Sequence, residues 1–356
     1  MYLEYFGLSA QPFRLTPDSE FLFMSEPHSR AKAYMDYTVW NREGFVVITG
    51  EIGCGKTTLI QKLLSELDEN VAVAKVFQTQ LDEVELLQAV LVEFGLNPFN
   101  AKKVELLDML NTFLIEQFLQ GKQIVLIVDD AHNLSMKVLE EIRMLAGLET
   151  RKEKILHVIL VGQPHLNEML DHPDMEQLMQ RIKLRYYIRA LSEQELGSYI
   201  RHRLSIVGVG NRTLFPPETL PTIYKYAGGI PRLINTLCDT ALTCAYADSL
   251  PGITAEVVEA AAKELQWPRH SERLEKRRLN VKHGPVEGGV QGILREQVQT
   301  LAAIATQVSK LEERSPVLES IGRSLAAIEM HLRNLVQSRG VQPRPDSTVD
   351  RQKRSG

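Results

Sequence analysis

The stretch "FVVITGEIGCGKTTLIQKLLSEL", residues 45–67, opens with a β-branched apolar run, passes three glycines and ends in an amphipathic segment. A run that is apolar on both faces reads as a buried strand, whereas Leu59, Ile60, Leu63 and Leu64 recur at helical spacing. Between them, Gly50–Thr57 fits G-x-x-x-x-G-K-[ST] in full, in the strand–loop–helix setting such a loop requires. Gly50, Gly53 and Gly55 let the backbone curl until its N–H groups point at one place. Lys56 adds a point charge, the helix N-terminus adds its dipole, and Thr57 offers a hydroxyl to a divalent cation. A polyphosphate suits that geometry, and Glu51, Ile52, Cys54 and Thr58 complete the contact set. Cys54 reads as a small filler, with a redox role as the alternative.

Working outward, the same kind of run returns as "VAVAKVF" (71–77), "IVLIVDD" (124–130), "HVILVGQ" (157–163) and "LRYYIRA" (184–190). Helical patterns such as "VELLDMLNTFLIEQFL" (104–119) and "SMKVLEEIRMLAGLE" (135–149) separate them. Residues 1–191 therefore predict an α/β domain with a parallel sheet and helices on both faces. From 192 to 266 no convincing strand remains. Ser192 with Glu195 marks a capping box and Thr254 a helix cap, which predicts an all-helical lid. Residues 267–292 carry Arg269, Arg273, Lys276, Arg277, Arg278 and Lys282, then "GPVEGGVQG", and read as a basic and polar linker. Within 293–338, Leu318, Ile321, Leu325, Ile328, Leu332 and Leu335 alternate steps of three and four, a coiled-coil seam for oligomerisation or partner docking. Packing back onto the sheet domain is the alternative. The tail, 339–356, is expected to be disordered.

Composition narrows the class. The 356 residues are 44% hydrophobic and 24% charged, ordinary for a globular chain with several domains. Cys54, Cys238 and Cys244 form neither a disulfide framework nor a zinc pattern and read as reduced thiols. A net charge of −4 gives no global attraction to nucleic acid. The start "MYLEYFGLSAQPFRLTPD" is no signal peptide, and no apolar run reaches the roughly 18 residues of a membrane span. The expected location is cytoplasmic, with attachment to the inner membrane only through partners.

Further residues bear on chemistry. Asp129 ends an apolar strand, where an acid can hold Mg²⁺ through water. Asp130 is placed either to orient or deprotonate an attacking water or to favour the dipole of the following helix. Gln163, after the strand "VILVG", can reach toward a terminal phosphate or simply begin a turn. Arg232 in "GGIPRLIN" sits in the first turn of a helix, where a cation is disfavoured unless an anion lies outside, phosphate or carboxylate. Arg181, just before the last strand, is either solvated or projects into a neighbouring subunit's nucleotide.

Together these residues resemble the AAA+ ATPases. More closely, "YFGLSAQPFRLTPDSEFLFMSEPHSRA" (5–31) resembles the secretion ATPases related to general secretion pathway component A, nearest to those of exosortase (PEP-CTERM) and exopolysaccharide loci. The resemblance spans residues 1 to about 266. It implies ATP and Mg²⁺ as ligands, Gly50–Thr58 as the Walker A site and Asp129 as the magnesium acid. Asp130 would stand at the position of the usual catalytic glutamate, Gln163 at sensor 1, Arg181 at the arginine finger and Arg232 at sensor 2. The 5–31 segment would pack near the adenine. The expected function is a Mg²⁺-dependent ATPase, a homo-oligomer that energises or regulates an envelope export system, its coiled coil engaging export proteins. The alternatives are an ATP-dependent binding switch with negligible turnover and a DNA-transaction ATPase, although no nucleic acid partner is expected.

Overall fold

Every apolar run becomes a strand of one parallel sheet, and each strand sorts its side chains by parity. The computed structural model describes residues 2–41, 44–77, 79–149, 153–208 and 212–282. After α1 (Tyr2–Phe6) and α2 (Glu26–Trp40), the chain enters β1 (Phe45–Gly50), α3 (Lys56–Glu66) and β2 (Val71–Val76). Helices α4 (Glu83–Glu93) and α5 (Lys103–Leu119) lead to β3 (Gln123–Val128), and α6 (Met136–Leu145) to β4 (Leu156–Gly162). Short α7 (His165–Leu170) and α8 (Glu176–Met179) precede β5 (Ile182–Ile188). The strand order is β2-β3-β4-β1-β5, all pairs parallel.

Alternation along the central strands fills two apolar layers. Phe45, Val47, Leu126, Val128, Val158 and Leu160 join one, with α4, α5 and α6. Val46, Ile48, Val125, Ile127, Ile159 and Val161 join the other, with α2 and α3. Each such side chain stabilises the fold by roughly 1.5–3 kcal/mol relative to exposure. The sheet therefore fixes its own carboxyl end, where the tips of β1, β3 and β4 stand side by side.

Beyond β5 the chain is helical: α9 (Glu193–Ile206), α10 (Leu220–Ala227), α11 (Pro231–Ala247), α12 (Ala255–Glu264) and α13 (His270–Lys282). Ser192 and Glu195 make the predicted capping box, and the Thr254 hydroxyl caps α12. Such a cap contributes about 1 kcal/mol. These helices build a third core, and the N-terminal segment belongs to it. Phe6, Leu8, Phe13 and Phe21 are buried among Leu196, Tyr199, Leu237 and their neighbours, so this segment, grouped with the sheet from sequence, packs on the helices instead. Residues 1–273 form one compact unit, and the 191/192 boundary falls inside it as a change of core. Residues 270–282, read as linker, are helical. The heptad stretch 293–338 and the tail 339–356 lie outside the described residues. Among the described residues no helix is long and apolar enough to cross a membrane.

Candidate nucleotide site

The loop between β1 and α3 is held from both sides. Gly53 and Gly55 have φ of +83° and +89°, a region that L side chains rarely adopt. A Cβ on Gly53 would lie 2.6 Å from the Arg232 Cβ, and one on Gly55 would lie 3.1 Å from His28 Nε2. The loop is thus clasped between α11 and α2. On the α11 side the Arg232 amide donates to the Gly53 carbonyl at 3.1 Å. On the α2 side the His28 ring bridges the Ser25 hydroxyl (2.7 Å) and the Cys54 carbonyl (2.8 Å). Since the carbonyl only accepts, Nε2 carries the proton and Nδ1 accepts from Ser25. Burial lowers the His28 pKa below its ordinary value, which favours that neutral form.

Lys56 is buried, and its ammonium donates to the carbonyls of Gly50 (2.8 Å) and Glu51 (2.9 Å). Burial lowers its pKa, with Cys54, Asp130, Asp129 and Glu51 pulling the other way. A cation resting on neutral carbonyls in a low-dielectric loop is a strong attractor for an anion. Burial pushes the Cys54 thiol up to about 11, so it is not a ready thiolate and reads as packing.

The tip of β3 completes the floor. Thr57 Oγ1 donates to Asp129 Oδ2 at 2.8 Å, joining a hydroxyl and a buried carboxylate. Burial raises the Asp129 pKa, opposed by that Thr57 bond. An all-oxygen pair of this kind suits a hard cation, and Mg²⁺ fits because it keeps waters and phosphate oxygens as its other ligands. Among the described residues no group of three His, Cys, Asp or Glu converges, so the protein offers no fuller cage.

Asp130 has φ 51° and ψ 34°, left-handed backbone for a residue with a side chain. Its amide donates to Asp129 Oδ1 at 3.0 Å, and its own carboxylate is 55% exposed. It stands at the N-terminus of a 3-10 turn, Ala131–Asn133, without a side-chain bond to that turn, while α6 begins at Met136 and is capped by Ser135. Gln163 follows β4, and its backbone N–H donates to His132 Nδ1 at 3.3 Å, which ties the β4 tip to the turn after Asp130.

Lys56, Thr57, Asp130, Gln163 and Arg232 line one cleft of about 430 Å³. Its far wall is formed by residues 14–18 and 21–23 with Tyr199, Arg203 and Asn235. Arg181 is not in it. β1 and β5 pair from Phe45↔Ile182 to Gly50↔Ile188, so Arg181 precedes the amino end of β5. About 20 Å of strand separates it from the phosphate loop of its own chain. There its guanidinium donates to the Arg143 carbonyl at 2.9 Å. His28, Tyr199, Arg203 and Asn235 went unread in the sequence. Their partners are backbone carbonyls, the Ser25 hydroxyl and each other, which mark no motif.

The sheet order, the loop geometry and the paired Thr57 and Asp129 define an AAA-type P-loop NTPase fold. A family model described as AAA domain matches residues 40–170. Solved structures share the fold. The ORC2 protein of Aeropyrum pernix (ADPNP-ADP complexes) is 17% identical with a TM-score of 0.55, over 72% of each chain. Drosophila ORC bound to DNA is 18% identical with a TM-score of 0.51, over 97% of this chain and 79% of that one. At such identities these matches speak for the fold alone. In sequence, the chain is related to general secretion pathway protein A of Aeromonas hydrophila, 40% identical over 270 residues. That match covers 76% of this chain and 49% of the relative, so the chain spans about half of the relative's length.

Proposed function

We propose that this chain is a Mg²⁺-dependent ATPase that works as an oligomer and energises or regulates a bacterial envelope secretion or export system. One observation carries the chemistry: the Thr57–Asp129 pair lies under the same cleft as Lys56, with Asp130 beside it. Lys56 exchanges its two carbonyl partners for β- and γ-phosphate oxygens, and the loop amides take the rest. Thr57 and, through water, Asp129 would hold Mg²⁺, which would supply positive charge against the phosphates. Asp130 accepts a proton from the attacking water, or orients it, while Gln163 steadies water and γ-phosphate. Oxygen from the water forms the new bond to the γ-phosphorus, and the β–γ bridging bond breaks to leave ADP and phosphate. Arg232, exposed at the start of α11, closes on the γ-phosphate from above.

The left-handed backbone at Asp130 supports this role. Such backbone costs about 1 kcal/mol or more, and of the described non-glycine residues that adopt a positive φ (Asn100, Asp130, Ser249 and Gln266) Asp130 is the one that lines the cleft. Arg181 is too far from its own loop to act there, which supports a role at the nucleotide of an adjoining copy. The export role rests on the likeness to general secretion pathway protein A. The resemblance of the 5–31 signature supports the exosortase or exopolysaccharide kind, and in this reading the 293–338 seam is what meets partner proteins. The test is ATP turnover per chain against protein concentration, beside Arg181→Ala. Specific activity that rises with concentration and collapses in the variant supports a shared site. Activity independent of both would refute the oligomeric mechanism.

A further inference from the structure

In the reading above, Asp130 and Gln163 serve one water, yet they stand on the tips of two strands whose pairing has already ended. β3 and β4 are paired from Ile124↔Leu156 to Val128↔Leu160. Past that point β4 continues against β1, as far as Thr49↔Gly162. Asp129 leans instead on β2, its backbone N–H donating to the Val76 carbonyl at 3.0 Å. The sheet ladder therefore does not set the distance between the acid and the glutamine. The 3-10 turn Ala131–Asn133 stands in that gap. On the β2 side the Asn133 side-chain amide donates to the Thr79 hydroxyl at 3.3 Å. On the β4 side the His132 ring accepts, at Nδ1, from the Gln163 backbone N–H at 3.3 Å.

The two sides fit closely there. A Cβ on Gly162 would lie 3.3 Å from the His132 backbone nitrogen, tighter than side chains ordinarily pack, so the turn rests directly on the β4 tip. The His132 side chain is only 11% exposed. Because a backbone N–H can only donate, Nδ1 is bare and Nε2 carries the proton. Burial lowers the His132 pKa, which favours this neutral ring; Asp130 and Asp129 oppose the shift, and Lys56 and His165 add to it. The Asp130 carboxylate lies 4.0 Å from Nδ1, beyond hydrogen-bond reach, so the ring does not occupy the acid. Asp130 and Gln163 line the cleft, whereas His132 does not.

We infer that His132 is a positioning residue: by holding the Gln163 backbone to the turn that follows Asp130, it sets where the glutamine side chain stands relative to the acid. This rests on the ATPase reading above and goes further by naming what aligns its two water-handling groups. His132 touches neither the water nor the phosphates. It acts through a single N–H, at a place where a displacement of about 1 Å is worth roughly 100-fold in rate.

The experiment measures ATP affinity, with Mg²⁺, and single-turnover hydrolysis on the full chain. His132→Leu fills the space but cannot accept a hydrogen bond, whereas His132→Asn keeps an acceptor attached to Cγ, where Nδ1 sits. His132→Leu should slow hydrolysis roughly 10- to 100-fold and leave affinity within about twofold. His132→Asn should recover most of the rate. The sharpest arm uses Gln163→Ala. With that side chain gone, adding His132→Leu should slow hydrolysis no further, because the ring acts only through it. Equal slowing by Leu and Asn, affinity lost in step with rate, or the full His132→Leu loss on top of Gln163→Ala would each overturn the inference. If His132→Leu fails to fold, His132→Ala, which also lacks the acceptor, is read in its place. Asp130→Asn, run alongside, separates the two readings. Should it hydrolyse as fast as the wild type, the water-handling reading falls and this one with it. Should it be slow while His132→Leu keeps the wild-type rate, the coupling alone is overturned.

Discussion

The floor and the roof of the cleft handle charge in opposite ways. At the floor, Lys56 and Asp129 are buried at the ends of rigid strands and helices, each at a cost that burial imposes on the ionised form. Their geometry is set by a sheet whose side chains fill two dry layers. At the roof, Arg232 is exposed on a helix start, and the wall beside it is a length of chain pinned by hydrogen bonds to its carbonyls. Preorganised charge belongs where chemistry happens, because nothing need reorganise as the bond breaks. A cover that must admit and release a ligand is better built from exposed or replaceable contacts. The comparison makes the floor the chemical half of the site and the roof the half that admits and releases.

This division can be broken by experiment. Lys56→Ala should reduce turnover to background and weaken ATP at least about 100-fold, because several charge-assisted bonds go together. Arg232→Ala should cost far less, about tenfold in turnover with affinity changed less. Equal losses from the two would end the distinction, and both are read from one calorimetric and steady-state series. Gly53→Ala probes where the halves touch. Its Cβ would meet the Arg232 Cβ at 2.6 Å with φ at +83°. It should weaken ATP about tenfold and lower the melting temperature, since the loop must move off α11.

Two smaller effects follow from charge burial. The Asp129 pKa is higher in the fold than in the unfolded chain, whose ordinary value is 3.8. The folded state therefore holds its proton longer, and this carboxylate subtracts stability as pH rises through the folded value. Asp129→Asn should melt higher at pH 7 by about 3 °C in the absence of Mg²⁺, while losing turnover. His28 works with the opposite sign. Its folded pKa lies below the ordinary 6.5, so its contribution is whole above 6.5 and is lost as pH falls through the folded value. The wild type should thus lose melting temperature below about pH 6.5 more steeply than His28→Gln, by a degree or two between pH 6.5 and 5.

The floor was legible in the sequence because its parts are contiguous. Gly50–Thr57 declares a loop by itself, and Asp129 is marked by the apolar run that it ends. Asp130 was legible as an acid but not as a strained residue, since no local pattern announces a left-handed φ where the side chain is not glycine. Nor does the sequence say which helical turn follows it: a 3-10 turn, Ala131–Asn133, comes first, and α6 starts only at Met136 under Ser135. The roof was mostly hidden. Arg203 meets Pro12 across 191 residues, and what it recognises is backbone, which every residue possesses. The aromatic residues of the first 23 positions looked like part of the sheet domain because nothing in their spacing says which core they enter. Arg181 was legible as a cation ahead of a strand, but its distance from the cleft came only from the β1–β5 register.

The central claim is that Asp130 moves or orients the water while the rest of the floor binds. It is tested most directly by measuring ATP affinity and single-turnover hydrolysis together, for the wild type and Asp130→Asn. The account predicts affinity within about twofold and hydrolysis slowed at least about 100-fold, the usual worth of a positioned general base. A wild type that binds ATP tightly yet hydrolyses no faster than Asp130→Asn would contradict it, and the chain would then be a nucleotide-loaded switch.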